Sequence, residues 1–545
     1  MVHFNEFLND FGRFFIFNKN RNSWLHIKLT NMIFLSHRLC VCLLKLFKVN
    51  YVMIRLVEKA NLFLKNKAII SDGKSYTYSE LLKNSESIAL SLLNEKNDLE
   101  GARIAFLVPS SYQYTSIQWG IWRAGGIAVP LCEKHPIESI EYVLKDTTAK
   151  LVFYSIEYKA LLKPLLEQSP KRFVSIEELE TRTGQLPDIK KERDALILFT
   201  SGTTGSPKGV VTTHSNIEAQ IIALSQAWEW SSKDHILNVL PMHHVHGIIN
   251  IMSCALWNGA CCEFLVRFDA KKVFEVFAKQ QVNLFMAVPT IYFKLISYWK
   301  EIDQIEQKII SENLKAFRLM VSGSAALPVS VLEEWEIISS HTLLERYGMT
   351  EMGMAISNPY RGKRKPGYIG QPLPGVSIRL ADENNQIVNQ GTQGEIHIKG
   401  ENVFKEYWNK PQETANSFTE DSWFRSGDIA VYQEGAYKIL GRNSVDIIKS
   451  GGYKISALEI EEVLRSHPKI KDCAVVGIPD LEWGEIIAAG IVLSNKSIEL
   501  NALKTWLKAK LPVYKTPRKY IELEQLPRNV MGKVTKKELV TLFNS

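Results

Sequence analysis

The stretch Thr200-Ser201-Gly202-Thr203-Thr204-Gly205-Ser206-Pro207-Lys208-Gly209 follows directly on an apolar run at residues 195–199. Glycines let a backbone approach an anion closely and adopt conformations closed to other residues. Hydroxyls and exposed backbone N–H groups then donate to phosphate oxygens. Lys208 adds a positive charge to the same loop. The spacing differs from that of P-loop ATPases, which place Gly directly before Lys, where this chain has Pro207. Nor does the chain contain the His-Arg-Asp catalytic loop of protein kinases. A nucleotide phosphate held after a strand, but used in another way, is what the loop predicts.

Working outward from the loop, short apolar runs alternate with helical patterns at residues 103–108, 150–154, 195–199, 235–240 and 319–321. Near-continuous apolar strands between helices predict parallel sheets covered on both faces. Between residues 375 and 398 the pattern shifts to alternating strands with turn signals at Glu383-Asn384-Asn385 and Gly391, which predicts a β-rich subregion. After Gly441-Arg442 a new unit is expected, with a strand at 473–476 and helices near 457–464 and 501–511. The predicted fold class is α/β. Residues 53–440 form a large body of stacked α/β sheets with a β-rich subdomain, and residues 441–545 form a small α+β C-terminal domain.

Composition narrows the class further. With 545 residues, 46% of them hydrophobic and 23% charged, the chain is an ordinary globular protein with ample core. Its seven cysteines include no CxxC pair, so neither a disulfide framework nor a common zinc site is expected. The net charge of +8 comes from 66 basic and 58 acidic residues, dispersed without a basic run, which argues against nucleic acid as a partner. Residues 1–52 differ from the rest: Arg13, Lys19, Arg21, Lys28, Arg38, Lys45 and Lys48 face only Glu6 and Asp10. The apolar part of this leader is broken by charges, so no stable membrane span is expected. The leader reads as a mitochondrial transit segment, a surface anchor, an ordinary extension, or sequence ahead of a true start at Met53. A cytoplasmic location is expected, with the mitochondrial matrix as the alternative if residues 1–52 are a transit segment.

The phosphate loop resembles the signature loop of the adenylate-forming superfamily, which comprises acyl-CoA synthetases, aryl-CoA ligases, luciferases and peptide-synthetase adenylation domains. Further segments match that superfamily in its order: Leu240-Pro241-Met242-His243-His244-Val245-His246-Gly247, Arg346-Tyr347-Gly348-Met349-Thr350-Glu351, Ser426-Gly427-Asp428, Gly441-Arg442, Lys449-Ser450-Gly451-Gly452-Tyr453-Lys454, and Pro527-Arg528-Asn529-Val530-Met531-Gly532-Lys533. The resemblance spans residues 55–540.

The resemblance implies a reaction in two halves, using ATP, Mg²⁺ and coenzyme A. A carboxylate attacks the α-phosphate of ATP to give acyl-AMP and pyrophosphate, and a thiol then displaces AMP. Thr200, Ser201, Gly202, Thr203, Thr204, Gly205 and Lys208 would hold the β- and γ-phosphates. Thr350 would contact the α-phosphate, and Glu351 would help to bind Mg²⁺, a hard cation suited to carboxylate oxygen. Gly323, Ser324 and Ala325 would line the adenine and Tyr347 would stack on it. Asp428 would accept from the ribose hydroxyls, with Arg442 beside it. Lys533 would bridge carboxylate and α-phosphate, and His244 is a further catalytic candidate. The superfamily rotates its mobile C-terminal domain between the two halves. Gly451 and Gly452 would then line the passage for the pantetheine arm, and the hinge residue is Ser444 or Asp446.

Within the superfamily the chain resembles malonyl-CoA synthetases, through the segments around His243–His246, Glu345–Met354, Ser357–Gly362 and Gly441–Lys449. A small-molecule dicarboxylate brings a second negative charge, and Arg is suited to binding a carboxylate in bidentate fashion. Arg346, helped by His246, is the candidate for the distal carboxylate, with Val245 and Met354 pressing on the central carbon. Arg361 and Arg364 are weaker candidates. An internal ion pair of Arg346 with Glu345 or Glu351, and a core role for His246, are the competing readings. At the level of function the alternatives are a ligase for short- or medium-chain monocarboxylates and a freestanding adenylation enzyme that loads a carrier protein.

Overall fold

The computed structural model describes residues 54–179, 182–200, 207–494, 498–529 and 532–544. The expectations for residues 1–52 and for Ser201, Gly202, Thr203, Thr204 and Gly205 fall outside the described residues.

Two large sheets build the body. The first runs in the order Gln371–Pro372, Gly353–Ser357, Leu344–Met349, Leu319–Ser322, Leu284–Ala287, His235–Asn238, Cys261–Phe264, Lys67–Ser71 and Lys74–Thr77. Its central strands are parallel and nearly all apolar; Leu284–Ala287 and Leu319–Ser322 are buried at every position. Buried backbone on both faces needs helical cover, and helices such as Pro289–Glu301 and Val329–Ser339 supply it with Tyr292, Leu295 and Trp335. The second sheet runs in the order Glu406–Tyr407, Lys208–Thr213, Asp194–Thr200, Ile127–Pro130, Arg103–Leu107, Leu151–Tyr154 and Phe173–Ser175.

The apolar run at 195–199 pairs in parallel with Ile127–Pro130 but antiparallel with Lys208–Thr213. The phosphate loop therefore connects the two strands of an antiparallel pair. An apolar run reports burial on both faces; it does not report the direction of the next strand.

The β-rich subregion is a four-stranded antiparallel sheet of Val376–Ala381, Gln393–Gly400, Phe424–Gln433 and Ala436–Arg442. Beyond it, a five-stranded sheet carries the helices Ala457–Arg465, Leu500–Lys508 and Lys536–Asn544, in keeping with a small α+β C-terminal domain. That domain has its own apolar cores, one around Ile460, Leu464, Val475 and Leu503 and another around Val476, Ala488 and Leu539. It touches the body at defined points. Glu462 Oε1 accepts from the Val329 backbone N–H at 3.0 Å, and Lys454 pairs with Glu383 at 2.8 Å.

Candidate active site

The carboxyl ends of the parallel strands of the first sheet, the usual edge for ligands in such sheets, carry several of the segments singled out in the sequence. Leu319–Ser322 leads into Gly323-Ser324-Ala325, and Leu344–Met349 leads into Thr350 and Glu351. The latter strand turns back at once as Gly353–Ser357, so Thr350 and Glu351 sit on a tight antiparallel turn. His235–Asn238 leads to the segment bearing His243, His244 and His246.

Strand alternation explains how neighbouring residues at this edge serve different ends. Tyr347 points to the β-rich side, where its ring joins the cluster of Met352, Ile356 and Phe404. Its hydroxyl donates to Asp428 Oδ2 at 2.5 Å, a bond that the expected stacking role did not anticipate. Burial raises the pKa of Asp428, and Arg442, with Nε 3.8 Å from Asp428 Oδ1, opposes that rise. Arg442 Nη2 also donates to the Ser426 carbonyl at 3.1 Å. Asp428 and Arg442 are direct cross-strand partners, so sheet register fixes the pair.

Arg346 points the other way, into the body. It is 3% exposed, and its Nη2 donates to the ring of His246, itself 4% exposed, 2.8 Å from Nδ1. Ser324 Oγ lies 3.4 Å from Arg346 Nη2. Burial first, then the guanidinium, holds His246 far below its ordinary pKa, so a neutral imidazole accepts from Arg346. Among the described residues no carboxylate pairs with Arg346, and its Nε and Nη1 have no hydrogen-bond partner. Burial pushes its pKa down to about 9. The ion pair with Glu345 or Glu351 is thus not formed. Glu345 faces away and accepts from the Gly367 N–H at 2.8 Å. Glu351 instead takes the Tyr407 hydroxyl on Oε1 at 2.9 Å, and the Lys208 ammonium lies 5.0 Å over the Tyr407 ring. Tyr407 is a member of the site that the sequence did not flag; an aromatic after a Lys-Glu pair carries no signal of its own.

Gly323 makes room for the guanidinium. A Cβ there would lie 2.5 Å from Arg346 Cζ and Nη1. Ser324 holds a left-handed φ of 71°, which a non-glycine residue adopts at some cost, in keeping with a functional loop. Val245 and Met354 are both buried, and His246 opens a buried π-helix, His246–Ser253, a geometry that recurs at functional sites. The weaker candidates drop out. Arg361 forms an exposed ion pair with Glu229, and Arg364 is spent on the carbonyls of Thr342, Pro359 and Tyr360.

Lys533 reaches this edge from the C-terminal domain. It stays accessible to solvent, yet the protein around it lowers its pKa. Burial is the largest cause; Arg442 and Arg346 push the same way, while Asp428 and Glu351 oppose them. One ammonium therefore feels both the Asp428–Arg442 pair and the buried guanidinium. His244 feels it too: burial and then the Lys533 charge push its pKa down to about 4, and its Nε2 has no partner among the described residues. Gly451 and Gly452 lie elsewhere, at the exposed two-residue turn between Ile447–Ser450 and Tyr453–Ser456, with φ of 56° and 83°. Positive φ at both central residues is what such a tight hairpin demands. Ser444 and Asp446 lie in the turn after Ala436–Arg442, where the Arg442 N–H donates to Asp446 Oδ2 at 2.9 Å.

A single carboxylate such as Glu351 is a fitting donor for Mg²⁺. Among the described residues no group of three or more His, Cys, Asp or Glu side chains gathers to hold a metal alone. A cation at Glu351 would then share its shell with nucleotide phosphates and water, as Mg²⁺ prefers. Among the described residues no helix is long and apolar enough to cross a membrane.

Known proteins are similar to this chain in sequence and in fold. A malonate–CoA ligase of Xenopus laevis, named as mitochondrial, is 43% identical over 533 residues, covering 89% of this chain and 91% of that one. A malonate–CoA ligase of Arabidopsis thaliana is 39% identical, covering 87% of this chain and 85% of its own. ATP-bound MatB from Rhodopseudomonas palustris superposes with a TM-score of 0.82 at 29% identity, covering 90% of this chain and 99% of that one. A malonyl-CoA ligase with methylmalonyl-CoA and AMP bound matches with a TM-score of 0.64 at 33% identity, over 87% of this chain and 100% of the other. Residues 56–408 match the family described as AMP-binding enzyme, and residues 459–533 match the AMP-binding enzyme C-terminal domain. The chain belongs to the AMP-binding enzyme family.

Proposed function

We propose that the protein is an AMP-forming acid–CoA ligase whose acid is malonate, converting malonate, ATP and CoA to malonyl-CoA, AMP and pyrophosphate. One observation carries the choice of acid: a buried guanidinium with two nitrogens lacking a partner and no carboxylate beside it. Each buried donor left unpaired costs about 1–3 kcal/mol. A second substrate carboxylate would satisfy Arg346 in bidentate fashion, whereas the alkyl chain of a monocarboxylate would leave it unpaired. His246 steadies the guanidinium as a neutral acceptor. Val245 and Met354 bound the space for the central carbon. The malonate–CoA ligase relatives and the MatB likeness support the same acid.

In the first half a carboxylate oxygen of malonate attacks the α-phosphorus, and the bond to the bridging oxygen of pyrophosphate breaks. Two anions must meet, so preorganised positive charge is the main catalytic device. Lys533 supplies it where charge accumulates, between carboxylate and α-phosphate, with Thr350 donating to the α-phosphate. Thr200, Ser201, Gly202, Thr203, Thr204, Gly205 and Lys208 hold the β- and γ-phosphates. Asp428 and Arg442 hold the ribose, and Gly323, Ser324, Ala325 and Tyr347 border the base. Bound at Glu351, Mg²⁺ would neutralise phosphate charge. His244, kept neutral, borders the acyl carbon. In the second half the CoA thiol, having lost its proton, attacks the acyl carbonyl and AMP leaves. Residues 441–545 act as a separate mobile domain that swings Gly451 and Gly452 in to line the pantetheine arm.

A mitochondrial matrix location is favoured over the cytoplasm, because the basic, acid-poor residues 1–52 suit a transit segment and relatives are named as mitochondrial. The function is tested by pyrophosphate release with malonate, methylmalonate, acetate, butyrate and octanoate, in wild type and Arg346→Leu. Wild type should prefer malonate by about 100-fold or more, as a charge-reading site can. Arg346→Leu should lose that preference, and a variant that keeps it would remove Arg346 from the role.

A further inference from the structure

Three residues beyond Lys533, a second lysine is spent on a different task. Lys536 opens the helix Lys536–Asn544, and its side chain is 9% exposed. Its ammonium lies 2.5 Å from Asp446 Oδ1 and 2.8 Å from Glu461 Oε1. Glu461 also pairs with Arg465 at 2.9 Å and accepts from the Val475 N–H at 2.9 Å, which anchors it to the five-stranded sheet. Asp446 takes the Arg442 N–H on its other oxygen at 2.9 Å. Two cations and two carboxylates thus balance in a buried cluster, and burial of any one charge depends on its partners.

The cluster closes a circuit. From Asp428 it passes through Arg442 to Asp446, then to Lys536, and back along three residues to Lys533, whose ammonium senses Asp428 and Arg442. The Lys533 loop is held at its base by its own backbone bonds: Thr535 N–H to the Pro527 carbonyl at 2.8 Å and Asn529 N–H to the Lys533 carbonyl at 2.9 Å. Those bonds shape the loop but do not say where it points. The Lys536–Asp446 ion pair ties the loop to the turn that follows the ribose-side arginine.

We propose that Lys536 is a positioning residue for adenylation, which, through Asp446, sets the placement of Lys533 over the reacting phosphate. The proposal rests on the ligase reading given above for its chemistry, but not on malonate as the acid. A displacement of about 1 Å at a catalytic group can cost about 100-fold in rate. Lys536→Met removes the charge and keeps the stem; Lys536→Arg keeps the charge. ATP–pyrophosphate exchange, run with whichever acid of the panel supports it best, reads the first half. Thioester formation from supplied acyl-AMP and CoA reads the second. Lys536→Met should lower the kcat of exchange by about 10- to 100-fold, with the KM values for ATP and acid nearly unchanged. Its second half should stay near wild type, and Lys536→Arg should recover most of the exchange. Asp446→Asn breaks the same ion pair from its other end, so its loss should not add to that of Lys536→Met. If both half-reactions fall together with melting temperature and Arg does not rescue, Lys536 is merely structural. Additive losses in the double variant, or full exchange in Lys536→Met, overturn the proposal as well. Should Lys536→Met fail to fold, the Arg and Asn variants carry the same comparison.

Discussion

Arg346 and Lys533 are both cations of one candidate site, and they are held in opposite ways. Arg346 belongs to a strand inside a nine-stranded sheet, with His246 and Ser324 against it and Gly323 cut away to admit it. Lys533 stands on a loop of the C-terminal domain, accessible, and among the described residues its hydrogen bonds are those of its backbone with Asn529. Burial lowers the pKa of each; Asp428 and Glu351 oppose the shift at Lys533, whereas among the described residues no carboxylate pairs with Arg346. The difference fits the work proposed for each. A charge that recognises a substrate must be rigid, since its geometry sets affinity. A charge that is needed only between two anions must be deliverable, since it would obstruct the later step. The fixed cation should therefore govern which acid is used, and the delivered one how fast the first bond forms.

The sharpest way to break this contrast is Lys533→Ala. Removing a group that stabilises developing charge typically costs about 100- to 1,000-fold in kcat. ATP–pyrophosphate exchange should fall by that much, while the melting temperature and the ranking of acids should not move. A changed ranking of acids would mean that Lys533 shares in recognition, and full exchange would remove it from the chemistry altogether.

The fixed side is tested more gently by Gly323→Ala. The added Cβ would overlap the Arg346 guanidinium, the far end of a long side chain that must then swing away. The expected result is a loss of about 10- to 100-fold in kcat/KM for malonate, because a small misplacement of a binding group suffices. The KM for ATP, measured alongside, separates this from damage to the adenine border. Undiminished use of malonate would show that the guanidinium does not need its present position.

What the sequence revealed follows the same division. Rigid, locally coded parts were legible: apolar runs located the strands at 103–107, 151–154, 235–238 and 319–322, and Arg346, Glu351, Asp428 and Arg442 all come within electrostatic reach of Lys533, while Gly451 and Gly452 lie elsewhere. Strand direction at 208–213 was not legible, because it depends on which neighbour closes the sheet. Tyr407 and Lys536 were missed, and Glu345 was read as a partner for Arg346, for a related reason. Each is an ordinary residue type whose meaning comes from a partner far away in sequence: Glu351, Gly367 and Asp446. The separation of Arg346 from Glu345 was in principle readable, since adjacent strand residues face opposite ways.

Glu345 offers the smallest and most specific test, because it lies where the body meets the C-terminal domain. Its carboxyl is buried, accepts one backbone N–H from Gly367, and is raised to about 8, first by burial and further by the nearby charge of Glu462. Glu462 itself comes from the C-terminal helix Ala457–Arg465 and caps the Val329 N–H. A carboxyl whose folded pKa lies above its ordinary value of 4.5 binds more protons folded than unfolded between those limits. Its contribution to stability is thus greatest below pH 4.5 and is lost as pH rises toward about 8. Glu345→Gln keeps an acceptor for Gly367 and cannot ionise. The wild type should lose a few degrees of melting temperature between pH 6 and pH 8.5 that the variant keeps, on the order of 1–3 kcal/mol of stability. The additional variant Glu462→Gln should remove only part of that pH dependence, since burial rather than its neighbour is the main cause. If Glu462→Gln instead abolishes it, the approach of the C-terminal domain, and not the packing of the body, sets the protonation of Glu345.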